Sequence, residues 1–160
     1  MKGNRLKTPR FYLAHPIKDR HEIREWEKDI EKRFAIELVN PFYDAAEIGN
    51  IAAIDKGDKG VYDPSFDSAE IVEGDLGLIK DCEGVIAILT NKISIGTNME
   101  IFYNSHVLKR PTHMIIESNE LRGHSWLRYL SDTYGGQIYR DRKDFEERYL
   151  SKLNAPVKGI

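Results

Sequence analysis

The segment Gly84–Leu89 (GVIAIL) is the feature of this sequence that most constrains its fold. An unbroken apolar run of this length is typical of a strand that is covered on both faces, as in the centre of a parallel sheet. Four other strand patterns accompany it along the chain, with helical patterns between them. The five predicted strands are Arg10–His15, Ala35–Asn40, Gly84–Leu89, Thr112–Ile116 and Gln137–Tyr139.

The alternation of strands and helices predicts a parallel sheet with right-handed crossover connections. We therefore expect an α/β fold of the flavodoxin-like (Rossmann-like) type, a three-layer sandwich around a five-stranded parallel sheet with strand order 2-1-3-4-5. Three helices are expected to begin at capping boxes, in which a Glu binds the backbone N–H of the residue three positions before it. These pairs are Asp19 with Glu22, Asp67 with Glu70, and Thr97 with Glu100. Further helices are predicted near Ser125–Leu130 and over Lys143–Leu153.

Composition narrows the function classes. The chain has 160 residues, so we assign positions 1–160 to one domain, and its 24 Lys and Arg against 26 Asp and Glu leave a net charge of −2. This balance argues against binding a nucleic acid polymer or an anionic membrane. No apolar run is long enough for a membrane span, and none near the N-terminus suits a signal peptide, so we expect a cytoplasmic protein.

Metal and cofactor signatures are also missing from the sequence. Cys82 is the single cysteine, and the five histidines show no H-x-x-x-H spacing, so we expect no metal. The sequence has no Walker phosphate loop, no G-x-G-x-x-G after the first strand and no G-x-S-x-G elbow. A small molecule bound without any cofactor is the ligand that these absences favour.

Two loops are predicted to form the ligand site. In sheets with this strand order, ligands bind at the carboxyl ends of the strands beside the switch point, here strands 1 and 3. The loop after strand 3 precedes a helix whose backbone N–H groups can bind an anion, and the loop after strand 1 adds two cations. Taken singly, each of these residues is also ordinary loop chemistry. The candidate substrate-binding residues of the two loops are Ala14, His15, Lys18, Arg20, Ser94, Gly96 and Thr97.

Two carboxylates stand out beside these loops. Asp75 interrupts the apolar stripe of its helix, which indicates either a buried acid with a raised pKa or a helix edge that meets solvent. Glu100 is either the second member of a capping box or an ionised carboxylate that faces the ligand and can attack a sugar carbon. Tyr12, on the first strand, could simply be part of the core.

The segment Tyr43–Phe66 is the one long stretch without a regular pattern, and it contains three glycines and a proline. An irregular loop of this length in a small domain is more often a lid or a binding loop than idle chain. Its aromatic residues Tyr43, Tyr62 and Phe66 are candidates for covering a ligand.

Three motifs together resemble the nucleoside 2-deoxyribosyltransferase family, which includes hydrolases that cut the N-glycosidic bond of nucleoside 5'-monophosphates. They are FYLAHP near the start, GDLGLIKDCEGVIAIL in the middle and SIGTNMEIFYN after it. The resemblance extends roughly from Phe11 to Ile116, with a looser C-terminal part. The acidic elements around Asp75 and Glu100 are specific as a pair, whereas either alone would be weak.

The resemblance implies a retaining displacement at the anomeric carbon of the sugar. Glu100 matches the family's nucleophile, which attacks C1' and forms a glycosyl-enzyme. Asp75 matches the aspartate that orients the substrate and helps to protonate the departing base, and Tyr12 matches the tyrosine that holds the glutamate. The resemblance thus implies an ionised Glu100 that acts as the nucleophile and a protonated Asp75 that acts as the acid.

The resemblance also bears on the substrate and on assembly. Family members that act on free nucleosides tend to carry an aspartate where this chain has Ser94, and an aspartate there would repel a 5'-phosphate. A nucleotide substrate is therefore favoured over a free nucleoside. In the family, a residue after strand 4 of a neighbouring subunit completes each site. Ser125 is the most suitable residue for this role here, so the resemblance implies a homodimer or a larger homo-oligomer.

Two alternatives to the monophosphate hydrolase stay open at this point. One is a transferase that exchanges bases on free deoxynucleosides. The other is a non-catalytic nucleotide-binding or sensing module on the same fold, because fold alone does not decide function. All three matched catalytic positions are present, which favours an enzyme.

Overall fold

A computed structural model describes residues 8–44 and 47–153 of the chain. Five parallel strands form one sheet in the order β2-β1-β3-β4-β5, which confirms the predicted architecture. The predicted edges of β1 and β2 extended one to two residues too far, whereas the other three strands have the predicted bounds. The strands are β1 (Arg10–Ala14), β2 (Glu37–Val39), β3 (Gly84–Leu89), β4 (Thr112–Ile116) and β5 (Gln137–Tyr139).

Helices cover both faces of the sheet. They are α1 (Arg20–Arg33), α2 (Pro41–Asp44), α3 (Ile48–Asp55), α4 (Ser68–Lys80), α5 (Ile95–Phe102), α6 (Asn119–Arg122), α7 (Ser125–Thr133) and α8 (Arg142–Arg148). One turn of 3-10 helix, Ile17–Asp19, precedes α1, and another, Leu150–Lys152, follows α8. A π-helical segment, Tyr103–Val107, continues α5.

The alternation of side chains along β1 decides which residues can reach the site. Phe11 and Leu13 point into the apolar layer that contains α1, whereas Tyr12 and Ala14 point into the layer that contains Ile101 of α5. Every residue of β3 is buried, as its apolar run predicts for a central strand. The register of the sheet pairs Tyr12 with β3, so its ring is fixed on the side where α4 and α5 pack.

Only one of the three predicted capping boxes begins a helix with its N-cap side chain bound to the helix backbone. The Asp67 carboxylate accepts the backbone N–H of Glu70 at 3.1 Å at the start of α4. Asp19 lies at the N-cap of α1, but its carboxylate binds Thr90 and Lys92 across the sheet instead of the helix backbone. The Thr97–Glu100 box is wrong, because α5 begins two residues earlier, at Ile95.

The segment predicted to be irregular, Tyr43–Phe66, contains regular structure. It includes the end of α2 and the whole of α3, while residues 45 and 46 lie outside the described part. Hydrogen-bonded turns connect α3 to α4. The prediction failed here because α3 has only a weakly amphipathic sequence, IGNIAAID, with no strong helical period.

The described residues contain neither a membrane-spanning helix nor a cluster of metal ligands. No helix there is long and apolar enough to cross a bilayer. Across residues 8–44 and 47–153, no three His, Cys, Asp or Glu side chains converge as ligands of a metal ion would. The assignment of all 160 positions to one domain stays a prediction, since it includes residues outside these ranges.

Candidate active site

A cavity of about 240 Å³ opens at the carboxyl ends of β1 and β3. This is the place that the switch-point rule predicts. Its walls come from the loop after β1, the 41–62 segment, α4 and the start of α5. The lining residues are His15, Ile17, Pro41, Phe42, Glu47, Val61, Tyr62, Ile71, Asp75, Ile93, Ser94, Ile95, Gly96, Thr97 and Glu100.

Glu100 lies at this cavity with Tyr12 behind it. Tyr12 is fully buried on β1, and its hydroxyl donates a hydrogen bond to Oε2 of Glu100. Burial raises the pKa of Glu100 well above its ordinary value, and the charges of Asp75 and Glu47 raise it further, while the Tyr12 hydrogen bond opposes the rise. The sequence placed Glu100 in the first turn of its helix, where the helix dipole stabilises an ionised carboxylate. In the structure Glu100 is in the second turn of α5, so this stabilisation is weaker.

Asp75 faces the same cavity from the second turn of α4. Four residues on, Ile79 is fully buried, and four residues back, Ile71 lines the cavity, so the helix turns this carboxyl inward. Burial raises the pKa of Asp75, and a hydrogen bond from Glu47 opposes this rise. Of the two interpretations left open by the sequence, the partly buried acid is the one the structure supports.

The start of α5 forms the other wall. Ser94, Gly96 and Thr97 line the cavity, and the Ser94 and Thr97 hydroxyl oxygens are 2.5 Å apart. The first backbone N–H groups of a helix lack intrahelical partners and carry partial positive charge, so this wall suits an anionic group. Asp19 fixes the preceding loop, because its carboxylate accepts hydrogen bonds from Thr90 Oγ1 at 2.8 Å and Lys92 Nζ at 2.5 Å.

The predicted residues of the loop after β1 divide into two groups. His15 lines the cavity, with its Nε2 3.2 Å from Asn40 Oδ1, and burial lowers its pKa. Ala14 is buried in the sheet just before it and does not line the cavity. Arg20 and Lys18 do not line the cavity either.

These two cations instead contact the segment that contains α3. Arg20 Nη2 pairs with Asp55 Oδ1 at 2.6 Å, and Arg20 Nη1 donates to the carbonyl oxygen of Ile17 at 3.0 Å. Lys18 Nζ lies 5.9 Å from the centre of the Tyr62 ring. The two residues predicted to supply positive charge to the site thus hold one of its walls.

Ser125 is not at this cavity. It begins α7 on the outer surface, next to the exposed side chains of Trp126 and Tyr129. A second, mainly apolar cavity of about 310 Å³ lies between α5 and α7 and includes Met99 and Trp126 in its lining.

Sequence reasoning missed Glu47, which is only 7% exposed and lines the cavity. No spacing rule pointed to it, since it precedes a helix that the sequence pattern did not reveal. Among the aromatic residues of its segment, Tyr62 lines the cavity as expected. Tyr43 instead packs against the Arg24 guanidinium at 4.7 Å, and Lys59 Nζ lies 5.1 Å from the Phe66 ring.

Comparisons with known proteins gave structural matches alone. The sequence fits no protein-family model, and no curated protein matches it. A 2-deoxyribosyltransferase from the psychrotolerant bacterium Bacillus psychrosaccharolyticus superimposes with a TM-score of 0.57 at 15% identity, covering 91% of this chain and 96% of that one. The CMP N-glycosidase BcmB of Clostridium botulinum superimposes with a TM-score of 0.51 at 21% identity, covering 87% and 96%.

Both of these proteins belong to the family that the sequence motifs resemble. At such identities the matches establish the fold, and they do not establish the reaction or the substrate. The chain therefore has the fold of the nucleoside 2-deoxyribosyltransferases and the related nucleotide N-glycosidases over most of its length.

Proposed function

We propose that this protein is an enzyme that cleaves the N-glycosidic bond of (2'-deoxy)nucleoside 5'-monophosphates by a retaining mechanism. The observation that carries the proposal is the convergence of Glu100, Asp75 and Tyr12 at one cavity. These are the three residues that the family resemblance assigns to catalysis. The two structural neighbours are a base transferase and an N-glycosidase, which supports the same class of chemistry.

In the proposed mechanism the carboxylate of Glu100 attacks C1' of the sugar. Its Oε2 accepts the Tyr12 hydrogen bond, which fixes the orientation of the nucleophile and favours its ionised form. Positive charge develops at C1' as the bond to the base breaks, and this charge also favours the carboxylate. Asp75 donates a proton to the departing base, and water then hydrolyses the glycosyl-enzyme.

The 5'-phosphate would bind at the start of α5. Backbone N–H groups and the hydroxyls of Ser94 and Thr97 can donate to its oxygens, and the α5 carboxylate that lines the cavity, Glu100, lies in the next turn of the helix. Lys18 and Arg20 stabilise the adjacent segment and add positive charge nearby. The reaction requires neither a metal ion nor any other cofactor.

A second function is an exchange of bases on free 2'-deoxynucleosides, in which a second base replaces water as the acceptor. The 2-deoxyribosyltransferase neighbour favours this alternative, whereas Ser94 at the α5 wall favours the monophosphate. A non-catalytic nucleotide-binding module is the third alternative. It would have no need for a buried tyrosine hydrogen-bonded to a glutamate at the sugar end of the site.

We further propose that the working form is a homo-oligomer in the cytoplasm. Met99 on α5 and Trp126 on α7 are large apolar side chains with 63% and 65% of their surface exposed. Both line the apolar cavity between α5 and α7, and Trp126 also lies beside Ser125 on the outer surface, so a second copy docked there could bring its Ser125 toward the nucleotide.

Incubation of the protein with a panel of nucleosides and 5'-monophosphates, with and without a second free base, tests the proposal. We expect release of free base from one or more monophosphates, with an intact-protein mass increase that corresponds to the sugar phosphate. Exchange that depends on the added base would favour the transferase, and binding without base release would favour the non-catalytic module.

A further inference from the structure

Glu47 and Asp75 form a carboxyl–carboxyl contact that the mechanism above does not use. Both side chains line the same cavity, Glu47 from the turn before α3 and Asp75 from α4. A hydrogen bond between them raises the pKa of Glu47 and lowers that of Asp75. An ionised carboxylate can accept but cannot donate a hydrogen bond, so this contact requires a proton on one of the two groups. Two carboxyls in such a contact are an acid pair that holds a single proton.

The surroundings of the pair favour retention of that proton. No Lys or Arg in residues 8–44 and 47–153 forms a salt bridge with either carboxyl. The titratable groups that face the pair are Glu100 on α5, Tyr12 on β1, His15 after β1 and Tyr62 before α4. Burial and the neighbouring charge of Asp75 raise the pKa of Glu47.

One oxygen of Glu47 receives no hydrogen bond from an N–H or hydroxyl group of the described residues. Its Oε2 is buried and makes no hydrogen bond with the protein, although the residue lines the cavity. A buried carboxyl oxygen without a partner is costly, and such groups are retained mainly where a ligand or a reaction uses them. Glu47 is thus placed beside the reacting groups and has no structural partner other than Asp75.

We propose that Glu47 is a positioning residue that shares one proton with Asp75 and so keeps an acid available for the departing base at neutral pH. This inference rests on the proposed function and deepens it. When the C1'–N bond breaks, its electron pair goes to the base nitrogen, which takes the proton of the pair through Asp75. A new C1'–O bond joins the sugar to Glu100, and the pair is left with no proton.

Hydrolysis restores the starting state. Water attacks C1', the C1'–O bond to Glu100 breaks, and its electron pair returns to the Glu100 carboxylate. The oxygen of water stays on the sugar as a hydroxyl, and its second proton returns to the pair. The cycle therefore consumes one water and releases one neutral base and one sugar phosphate, with no other co-reactant.

The test is the pH profile of kcat/KM for the variant Glu47→Gln, with Glu73→Gln as the matched control. Glu73 is an exposed residue of α4, so the control makes the same chemical change on the surface. The pair loses its last proton at the strongly raised pKa of Glu47, whereas in Glu47→Gln only Asp75, whose pKa is raised less, can hold a proton. The alkaline limb of the profile should therefore move down by about one pH unit or more. At a pH above the alkaline limbs of both proteins, the variant should be about tenfold less active than the wild type. At a pH below both of these limbs, the difference should shrink to less than about twofold.

Glu47→Gln keeps its size and can still donate to Asp75, so the protein should fold. A purely structural role would lower activity by the same factor at every pH, and a profile with an unchanged alkaline limb would overturn the proposal. Glu73→Gln should match the wild-type profile.

Free energies of unfolding measured against pH give a readout that does not depend on activity. A carboxyl whose pKa is raised by folding contributes stability below its unfolded pKa and loses it as the pH rises through the folded value. The wild type should lose this stability with rising pH more steeply than Glu47→Gln does, and Asp75→Asn should also flatten the curve. Identical curves for the three proteins would show that no proton is shared.

The two hypotheses can fail separately. If no substrate of the panel releases a base while the stability curves differ as expected, the proposed function fails and the acid pair has no role in base departure. If base is released but the alkaline limb does not move in Glu47→Gln, the proposed function stands and the role of Glu47 is overturned.

Discussion

Replacement of Glu100 by Gln separates the chemical role of this residue from its structural role. The amide oxygen of Gln can still accept the Tyr12 hydrogen bond, so the buried hydroxyl keeps its partner. What the variant loses is the negative charge and the nucleophilic oxygen. No capping interaction is lost, because Glu100 does not cap α5.

The expected effects on stability and on turnover differ in size. A neutral hydrogen bond replaces a charge-assisted one, which costs about 1 kcal/mol, and removal of one of three neighbouring carboxyls offsets part of this cost. The raised pKa of Glu100 means that the wild type loses stability as the pH rises through it, so the variant should be relatively more stable at alkaline pH. Loss of the nucleophile should reduce turnover by about 1,000-fold or more, equivalent to about 4 kcal/mol of the activation barrier.

Both effects are measured on the same preparation. Base release is followed by chromatography, and unfolding by urea at two pH values. A stable variant that still binds the monophosphate, releases no base and never shows the sugar-phosphate mass increase agrees with a nucleophilic Glu100. A variant that unfolds at lower urea concentration but turns over at nearly the wild-type rate would assign Glu100 a structural role and refute the mechanism.

Three other predictions concern the hydroxyl groups and the assembly. Tyr12→Phe should lower kcat by roughly 10- to 150-fold, since a hydrogen bond to a charged group contributes about 1.5–3 kcal/mol, and a kcat within twofold of wild type would contradict the role of Tyr12. The wild type should prefer monophosphates over nucleosides by roughly 10- to 150-fold in kcat/KM, and Ser94→Asp should reverse this preference. Equal kcat/KM for both substrates in the wild type would exclude phosphate binding at α5. Dilution should lower specific activity as subunits separate, and Trp126→Glu should do so at higher protein concentration; a fully active monomer in sedimentation would disprove the shared site.

The fold could be predicted from the sequence because its main signal is strong and local. The apolar run of β3 and the alternation of strand and helix patterns indicate a five-stranded parallel sheet, and the flavodoxin-like order expected for such a sheet is the one observed. Capping contacts were harder to predict where a side chain had two possible partners. Asp19 could bond to its own helix or to Lys92, and the cross-sheet ion pair, visible only in three dimensions, prevails.

The structure brings together part of the predicted site, and the residues that it brings together lie on the core of the fold. Tyr12, Asp75 and Glu100 lie on β1, α4 and α5, whose relative positions follow from the strand order. Lys18 and Arg20 were correctly placed at the right loop, but sequence position does not show which way a long side chain points. Their partners Tyr62 and Asp55 belong to the segment whose structure the sequence did not reveal.

Glu47 belongs to the same segment around α3, and this has a consequence for the mechanism. Tyr12 lies on the sheet and Glu100 lies on a helix packed against it, so both are fixed whenever the domain is folded. The acid pair, in contrast, is assembled only when the segment around α3 lies against α4, a position held by the Arg20–Asp55 ion pair. Bond cleavage needs both the nucleophile and the acid, and a partly open segment would therefore leave Glu100 in place but Asp75 without its partner. The segment around α3 thus both covers the substrate and supplies Glu47, the partner of Asp75.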